Sequence, residues 1–371
     1  MKKGLIFDPY LDTLGGGEAY CSRIADYLVK TGFNIEIAWK NRGILNKINS
    51  RFGLNLENRV KINEKAYYIL KRKSNLLKKY LFTKNYQIIF FLSDGSIPFL
   101  FGEKNYLHFQ SPFAGVNGDS FLNQLKLKNI SKVICNSYFT KKYIDKEFKI
   151  ESKVMYPPIN SAHFNLKPIK KENIILSVGR FDEILNSKKQ DVLINVFKKM
   201  VDHNLKNWRL VLLGGLMKES KRFNRLKRAT VDYPIEIMTN VGWETLMNYY
   251  QKAKIYWHGA GFGEDLKLYP QRAEHFGISI VEAMAADCVP VVFNGGGAPE
   301  IIDDQTSGYL WKKLDGLEKI TLQLIKDKKK IVEIAKKAKE KSKQFSQKVF
   351  EKKIKKILND DEKDKHSYSQ F

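Results

Sequence analysis

Short apolar runs alternate along the chain with segments in which apolar residues recur every three or four positions. In the first half, the runs GLIFDPY, FNIEIAW, QIIFFLS, KNYLHFQ, KVICNS and KVMYPP predict strands, and a helical pattern separates the first two. A second series begins at NIILSVG and continues through WRLVLLGG, IEIMTNV, KIYWHG and VPVVFN. Strands that alternate with helices are typical of parallel sheets, so the pattern predicts an α/β protein with two such sheets in tandem.

Candidate ligand-binding residues follow several of these strands. Parallel sheets bind ligands outside the carboxyl ends of their strands. The glycine turn Gly15–Gly17 follows the first strand, Arg180 follows the first strand of the second series, and Glu274 lies in a loop after a later one. A dinucleotide-binding fingerprint would need a further glycine where Tyr20 stands, so hydride transfer is not favoured.

Length and composition limit the function classes. A chain of 371 residues exceeds the size at which one hydrophobic core stops growing, so two domains are expected. Cys21, Cys135 and Cys288 are too few and too far apart for a disulfide framework or a metal-ligand spacing, which indicates a reduced, cytoplasmic setting. No apolar run is long enough for a signal-peptide core or a spanning helix, so the chain is expected to reach a membrane only by its surface.

The formal net charge of +25 leaves three interpretations open. Basic residues can bind nucleic acid, can attract an anionic membrane surface, or can serve solubility alone. The stretch Tyr67 to Leu81 is typical of a helix on a membrane interface, because basic residues alternate there with aromatic and leucine side chains. A core helix with a solvated basic face is the alternative. The basic residues concerned are Lys71, Arg72, Lys73, Lys78 and Lys79.

The most informative motif is the run RAEHFGISIVEAMAADCVPVVFNGGGAPEII. It sets Glu274 and Glu282 eight residues apart and follows them with a strand and a glycine cluster. Ser279 and Glu282 could form a capping box, in which the glutamate serves only the helix start. A helix that begins near Ser279 would also direct free N–H groups and its positive dipole end at a ligand, usually a phosphate. Glu274, just before this helix, would then face the group that is attached to the phosphate.

This run resembles the donor-binding signature of the retaining glycosyltransferases of family four, also called glycosyl transferases group 1. Further motifs stand in the order of that family: Gly15-Gly16-Gly17-Glu18, Asn136-Ser137, Tyr156-Pro157-Pro158, Ser177-Val178-Gly179-Arg180 with Lys188, and Pro299-Glu300. The tracts LHFQSP and IYWHGAGFGED are most similar to the subgroup of dolichol-linked mannosyltransferases and their microbial relatives. Asp287 and Lys189 depart from the family pattern, since each stands where glycine is usual.

The resemblance implies the GT-B architecture, in which two Rossmann-like parallel-sheet domains face each other across a cleft. The first domain is expected over residues 1–160 and the second over residues 170–342, with a linker between Pro158 and Lys171. A helix at about residues 345–360 would cross back and complete the first domain, as it does in the family. Residues 361–371 are expected to be a disordered tail.

By the same resemblance, the second domain binds a nucleotide-sugar donor. Glu282 would bind the ribose hydroxyls. Glu274 would contact hydroxyls of the donor sugar, where its charge would favour an oxocarbenium-like transition state. The backbone amides expected to contact the sugar and the diphosphate are those of Phe276, Gly277 and Ile278 and, from the first domain, Gly15, Gly16 and Gly17.

Transfer from a nucleoside diphosphate also needs positive charge at the departing phosphates. Many transferases use a metal held by Asp-x-Asp, a motif that this chain lacks. Arg180 and Lys188 can supply that charge instead, so a metal-independent reaction that requires no cofactor is expected. An ordinary strand-end arginine is the alternative for Arg180.

Two histidines close apolar strands, and such residues are more often satisfied core residues than catalysts. His108, on LHFQSP, is nevertheless expected near the donor sugar, because the family places a histidine of the first domain there. The role of His258, on IYWHG, stays open. Glu264 and Asp265, in an extra loop before Glu274, would contact the acceptor or be solvated.

The sequence therefore predicts a retaining hexosyltransferase of the mannosyltransferase kind. It would use a GDP- or UDP-sugar and a glycan or lipid-linked acceptor, in the cytoplasm and at the inner face of an anionic membrane. No carboxylate is assigned as a nucleophile, so the departing diphosphate is expected to take the acceptor's proton. The nearest enzyme rivals are a GT-B epimerase and a phosphorylase. From other classes, a basic nucleic-acid-binding protein and a non-catalytic sugar-binding protein stay open, although no nucleic-acid motif is found and no nucleic-acid partner is expected.

Overall fold

The computed structural model describes residues 2–71, 74–159, 164, 169–182 and 188–367, with side chains described as far as residue 359. The chain divides into two compact units. One consists of Met1–Pro157 together with Phe350–Phe371, and the other of Pro158–Val349. Each unit is built around one parallel sheet.

The first unit contains a seven-stranded sheet. Its strands are β1 (Lys3–Phe7), β2 (Asn34–Ala38), β3 (Val60–Ile62), β4 (Ile88–Leu92), β5 (Lys104–Phe109), β6 (Lys132–Cys135) and β7 (Lys153–Val154). They lie in the order β3-β2-β1-β4-β5-β6-β7. The helices that accompany them are α1 (Gly16–Lys30), α2 (Ile44–Phe52), α3 (Glu64–Lys71), α4 (Leu76–Thr83), α5 (Phe121–Leu127) and α6 (Tyr138–Phe148).

The second unit contains a six-stranded sheet. Its strands are β8 (Glu172–Val178), β9 (Arg209–Gly214), β10 (Ile235–Thr239), β11 (Ala253–His258), β12 (Val289–Phe293) and β13 (Tyr309–Trp311), in the order β10-β9-β8-β11-β12-β13. Its helices are α7 (Gln190–Asp202), α8 (Lys221–Ala229), α9 (Trp243–Lys252), α10 (Ile278–Ala285), α11 (Leu314–Lys326) and α12 (Lys328–Ser342).

The last helix, α13 (Gln347–Ser367), belongs mostly to the first unit. Its residues Phe350, Ile354 and Ile357 are buried in the core of that unit. The helix continues to Ser367, whereas the sequence predicts a disordered tail from residue 361. Neither glycine nor proline interrupts residues 361–367, which include Glu362, Lys363 and Lys365. Residues 368–371 lie outside the described residues.

All the apolar runs predicted as strands contain strands, and the prediction of two parallel α/β sheets is confirmed. Central strands such as β4 are buried along their whole length, which is why they appear in the sequence as continuous apolar runs. The prediction missed β3 and β13, which have only three residues each and lie at sheet edges.

The stretch Tyr67 to Leu81 is not one helix. The first part is the end of α3, where Tyr67 and Leu70 are buried in the core of the first unit. The second part is α4, which begins after Asn75, and its leucine residues are exposed. The core interpretation therefore holds for α3 but not for α4. Arg72 and Lys73 lie outside the described residues.

A search of the described segments for a helix long and apolar enough to cross a membrane finds none.

Candidate active site

The strand order of the second unit reverses between β8 and β11, which pair in parallel although β9 and β10 lie between them in the sequence. In such a sheet, ligands bind in the crevice outside the carboxyl ends of these two strands. Gly179 and Arg180 directly follow β8, and His258 is the last residue of β11. The candidate site of this unit therefore lies at the carboxyl ends of two neighbouring strands, β8 and β11.

Glu274 is the centre of this site. Its Oε2 lies 2.7 Å from Nζ of Lys188 and 2.8 Å from Nε2 of His258. The three side chains are largely withdrawn from water, with exposed fractions of 12% for Glu274, 18% for Lys188 and 2% for His258. The structure thus brings together Glu274 and Lys188, which the sequence predicts as site residues, and His258, whose role the sequence leaves open.

The surroundings of Glu274 keep its carboxylate ionised. Burial alone would raise the pKa of Glu274, but the charge of Lys188 and the hydrogen bond and charge of His258 outweigh it. The pKa of Glu274 consequently lies well below its usual range. A carboxylate held negative in a buried site can stabilise positive charge that develops on a bound substrate.

The glycine cluster of the motif allows the loop of Glu274 to pack closely. The N–H of Gly297 donates to the carbonyl of Glu274 at 2.7 Å. A Cβ atom at Gly296 would lie 2.1 Å from the same carbonyl oxygen, and one at Gly297 would lie 2.4 Å from the carbonyl of His275. Residues with side chains therefore cannot occupy these positions without moving Glu274.

A second glycine contact positions Lys188. A Cβ atom at Gly179 would lie 2.7 Å from Cγ of Lys188, so the missing side chain makes room for the lysine beside the end of β8. The side chain of Gln190 donates to the carbonyl of Arg180 at 2.9 Å and fixes the backbone there. Arg180 is half-buried, and within the described ranges its guanidinium forms no ion pair.

The helix that follows Glu274 begins at a left-handed glycine. Gly277 has φ of 113° and precedes Ile278, the first residue of α10. Phe276 is buried and packs against Phe345, with ring centroids 5.5 Å apart. The N–H groups of the first turn of a helix have no partner within the helix, so they are suited to an anion. The structure therefore brings Phe276, Gly277 and Ile278 to a helix start that follows Glu274 directly.

The capping-box interpretation of Ser279 and Glu282 is wrong. Gly277 is the N-cap of α10, so Ser279 lies inside the helix. The Ser279 hydroxyl accepts a hydrogen bond from Tyr256 at 2.8 Å, and the Glu282 carboxylate accepts one from Tyr250 at 2.9 Å. Two buried tyrosines thus hold the polar side chains of this helix in place.

A second ion-pair network adjoins the first. Nζ of Lys189 lies 2.6 Å from Glu264, whose other carboxylate oxygen lies 2.8 Å from Arg272. The hydrogen bonds and charges of these two cations hold the pKa of Glu264 below its usual range, although its partial burial opposes them. Lys189 has φ of 56° and Asp287 has φ of 58°. Both departures from the family pattern therefore stand at left-handed positions, where glycine is free of strain.

In the first unit, the predicted glycine turn lies at the carboxyl end of β1. Gly15 is the N-cap of α1, and its N–H donates to Glu18 at 2.5 Å. Gly16 is exposed, whereas a Cβ atom at Gly17 would lie 2.6 Å from Oε1 of Gln110. Packing within the unit is thus also sufficient to explain why position 17 has no side chain.

His108 lies in the core of the first unit and has no exposed surface. Its ring stacks on Tyr20 with centroids 4.0 Å apart, and its Nδ1 lies 3.1 Å from the carbonyl of Ile134. Burial lowers the pKa of His108 to about 3, so the ring is neutral. In this conformation the ring is enclosed by the core, and its Nε2 has no hydrogen-bond partner among the described residues, so the predicted position near the donor sugar stays a prediction.

No group of three or more histidine, cysteine or acidic side chains that could hold a metal ion is found among the described residues.

Sequence reasoning missed the contribution of His258 to the Glu274 site and the pairing of Lys189 with Glu264. No spacing in the sequence links these residues. The useful signal is the position of His258 at the end of the strand that pairs with β8, which becomes visible only once the strand order is known.

Known proteins are similar to this chain in sequence and in fold. An alpha-1,2-mannosyltransferase named for GDP-Man:Man(3)GlcNAc(2)-PP-Dol, from Dictyostelium discoideum, is 25% identical over 298 residues, which are 68% of this chain and 56% of that protein. The chain thus spans about half the length of this curated relative. This similarity agrees with the predicted subgroup.

Two solved structures are similar over the whole chain. A glycosyltransferase from Rickettsia africae ESF-5 has a TM-score of 0.76 at 18% identity, with 97% of this chain and 98% of that chain covered. Anabaena HepE in complex with UDP-glucose has a TM-score of 0.72 at 16% identity, with 97% and 100% covered. These likenesses confirm the predicted GT-B fold class.

The family model described as glycosyl transferases group 1 matches residues 159–344. That segment contains Arg180, Lys188, His258, Glu274 and Glu282, and so the whole site described in the second unit. The chain belongs to the glycosyl transferases group 1 family.

Proposed function

We propose that this chain is a glycosyltransferase that moves a hexose from a nucleoside-diphosphate sugar to an acceptor hydroxyl with retention of configuration. The observation that carries the proposal is the contact of Glu274 with Lys188 and His258 where the strand order reverses, in the segment that the family model matches. Relatives named as mannosyltransferases favour GDP-mannose as the donor, and the fold neighbour with UDP-glucose makes a UDP-sugar the second choice.

In the proposed reaction, cationic side chains stabilise the departing diphosphate. Arg180 would bind it as a bidentate fork, and Lys188 would add a point charge that it shares with Glu274. The N–H groups of Gly277 and Ile278 would bind the same phosphates. This arrangement supplies positive charge without a metal ion, which supports metal-independent transfer.

The remaining residues act on the sugar and the nucleoside. Glu274 would accept hydrogen bonds from the donor sugar and stabilise positive charge near its anomeric carbon. Glu282, oriented by Tyr250, would accept from the ribose hydroxyls. The departing diphosphate would take the proton of the acceptor hydroxyl, so no protein nucleophile is required. A contact of His108 with the donor sugar stays a prediction from the family resemblance, because its ring is buried in the core in this conformation.

We further infer that the acceptor is a glycan or a lipid-linked sugar and that the chain acts in the cytoplasm, at the inner face of a membrane. The name of the Dictyostelium relative contains a dolichol-linked acceptor, which supports a lipid-linked substrate. The basic composition of the chain favours an anionic membrane surface as a partner. Nucleic acid is not among the partners that we propose.

The test is donor hydrolysis. The purified chain is incubated separately with GDP-, UDP- and ADP-sugars, and release of the nucleoside diphosphate is measured. Release from one donor, and its loss in Glu274→Gln, is the expected result. The matched control is Glu318→Gln, because Glu318 also pairs with a lysine in the same unit but lies away from the described site. Calorimetry with each donor distinguishes the alternatives. Tight binding without release, with or without glycan acceptors, would indicate a sugar-binding protein, and neither binding nor release would contradict the proposal.

A further inference from the structure

Two short helices of the first unit expose apolar side chains that the core does not use. In α5 no residue is buried, and Phe121 is 85% exposed. Leu122 and Leu125 of the same helix are also exposed, whereas Leu127 packs against the core of the unit. In α4 the exposed apolar residues are Leu76, Leu77, Tyr80 and Leu81. Soluble surfaces rarely collect so many large apolar side chains, and such patches mark interaction sites.

The two helices belong to one surface. The ring of Tyr80 on α4 lies 5.3 Å from that of Phe101, which stacks on Phe99 at 6.4 Å. Nζ of Lys126, on α5, lies 5.3 Å from the ring of Phe99. Burial and the nearby charge of Lys126 lower the pKa of Lys79 on α4. We call α4, α5 and the segment from Phe99 to Phe101 between them the α4–α5 surface.

The charge of this region has one sign. Residues 65–93, which include α4, contain seven basic residues and no acidic residue. Residues 120–144, which include α5, contain five basic residues and no acidic residue. The exposed lysines beside the apolar side chains are Lys78, Lys84 and Lys128.

We propose that the α4–α5 surface docks the first unit on an anionic lipid bilayer. Leucine and aromatic side chains that alternate with lysines are suited to the bilayer interface, because the apolar groups enter the acyl boundary while lysine ammonium groups reach the headgroups. Each lysine near an anionic surface adds to the attraction. A nucleic acid would match the charge but would leave Phe121 and the leucines without apolar contacts.

This inference deepens the proposed membrane location and rests on it only for its biological purpose. Binding to vesicles is measured without donor or acceptor, so its failure leaves the proposed transfer reaction untouched. Failure of the donor test would likewise not contradict the proposal that the α4–α5 surface binds a membrane.

The experiment is co-sedimentation of the full chain with phosphatidylcholine vesicles, with or without roughly a third of phosphatidylglycerol, at low and high salt. The wild-type chain should bind the anionic vesicles and release in high salt. Replacing Phe121, Leu122 and Leu125 together with serine should lower the partition coefficient at least about tenfold. The matched control replaces Met217, Val231 and Val332 with serine. These apolar side chains are also exposed but lie in the second unit, so this variant should bind as the wild type does.

A second pair of variants tests the charge. Replacing Lys78, Lys84 and Lys128 with glutamine should weaken binding by about fivefold for each lysine. Replacing Lys328, Lys329 and Lys336 of α12, which removes the same charge from another exposed helix, should have little effect. These six positions are exposed, so the fold is not expected to change.

Three outcomes would overturn the proposal. The first is that the wild-type chain binds neither kind of vesicle. The second is that it binds neutral and anionic vesicles equally. The third is that the serine variant on α5 binds as well as its control does. Binding that survives the α5 substitutions but is lost with the lysines would mean a purely electrostatic contact, and would assign the apolar face to a protein partner instead.

Discussion

Replacing Lys188 with methionine is expected to destabilise the second unit. The ammonium of Lys188 lies 2.7 Å from Glu274, and both side chains are largely withdrawn from water. Removing one partner of a fully buried ion pair costs about 3–5 kcal/mol, because the other charge is left uncompensated. His258 still contacts Glu274 in the variant, and both side chains keep some exposure, so we expect a loss of about 2 kcal/mol near neutral pH.

The loss should depend on pH, and its sign follows from Glu274. The folded protein holds the pKa of Glu274 well below its usual range, so the ion pair contributes stability above the unfolded pKa of about 4.3. That contribution disappears as the pH falls through the folded pKa. In the variant, burial is no longer opposed by Lys188, and the pKa of Glu274 rises. The difference in stability between the two proteins should therefore be largest near neutral pH and should shrink as the pH falls from the raised pKa of Glu274 in the variant towards its depressed pKa in the wild type.

The assay is thermal unfolding followed by circular dichroism. For a unit of this size, a loss of about 2 kcal/mol corresponds to a fall in Tm of roughly 4–8 °C. The double variant Lys188→Met with Glu274→Gln should recover much of the loss, because neither charge remains. Lys199→Met is the control, since Lys199 also lies 2.7 Å from a carboxylate but is 52% exposed, and we expect a much smaller change. An equal fall in Tm at neutral and at acidic pH, or no recovery in the double variant, would refute the reasoning.

Three further predictions concern the reaction. Glu274→Gln and Arg180→Ala should each lower transfer by about 10²–10³ at saturating donor, because each group acts on charge that develops at the donor; turnover at the wild-type rate would remove that residue from the site. Chelation with EDTA should leave initial rates largely unchanged, and a loss restored by one divalent ion would show that a metal replaces the cationic clamp. Tyr250→Phe should weaken binding of the free nucleoside diphosphate by roughly fivefold to tenfold in calorimetry, since Glu282 loses the hydroxyl that orients it, and unchanged affinity would count against that role.

The sheets could be predicted from the sequence because parallel strands buried on both faces form continuous apolar runs. The edge strands β3 and β13 could not, since three residues carry no distinguishable period, whereas the two-residue β7 lies within the longer apolar run KVMYPP. Glu274 and Lys188 could be named from motifs, but not their contact, which depends on the parallel pairing of β8 with β11.

The two histidines show why strand position matters. His258 is the last residue of β11, where its ring meets the loop of Glu274. His108 is followed in β5 by Phe109, and its ring points into the core beside Tyr20. A shift of one residue along a strand changes the face that a side chain occupies. Both histidines close apolar runs in the sequence, so the sequence alone does not separate them.

The position of α13 has a consequence for the order of events during synthesis. Domains generally fold as units while the chain emerges from the ribosome, the N-terminal one first. Here the core of the first unit includes Phe350, Ile354 and Ile357, which are translated after the whole second unit. The unit that emerges first is therefore the last to be completed. Until then its sheet lacks three buried side chains, and a nascent chain that ended at Val349 would contain the complete second unit and an unfinished first one.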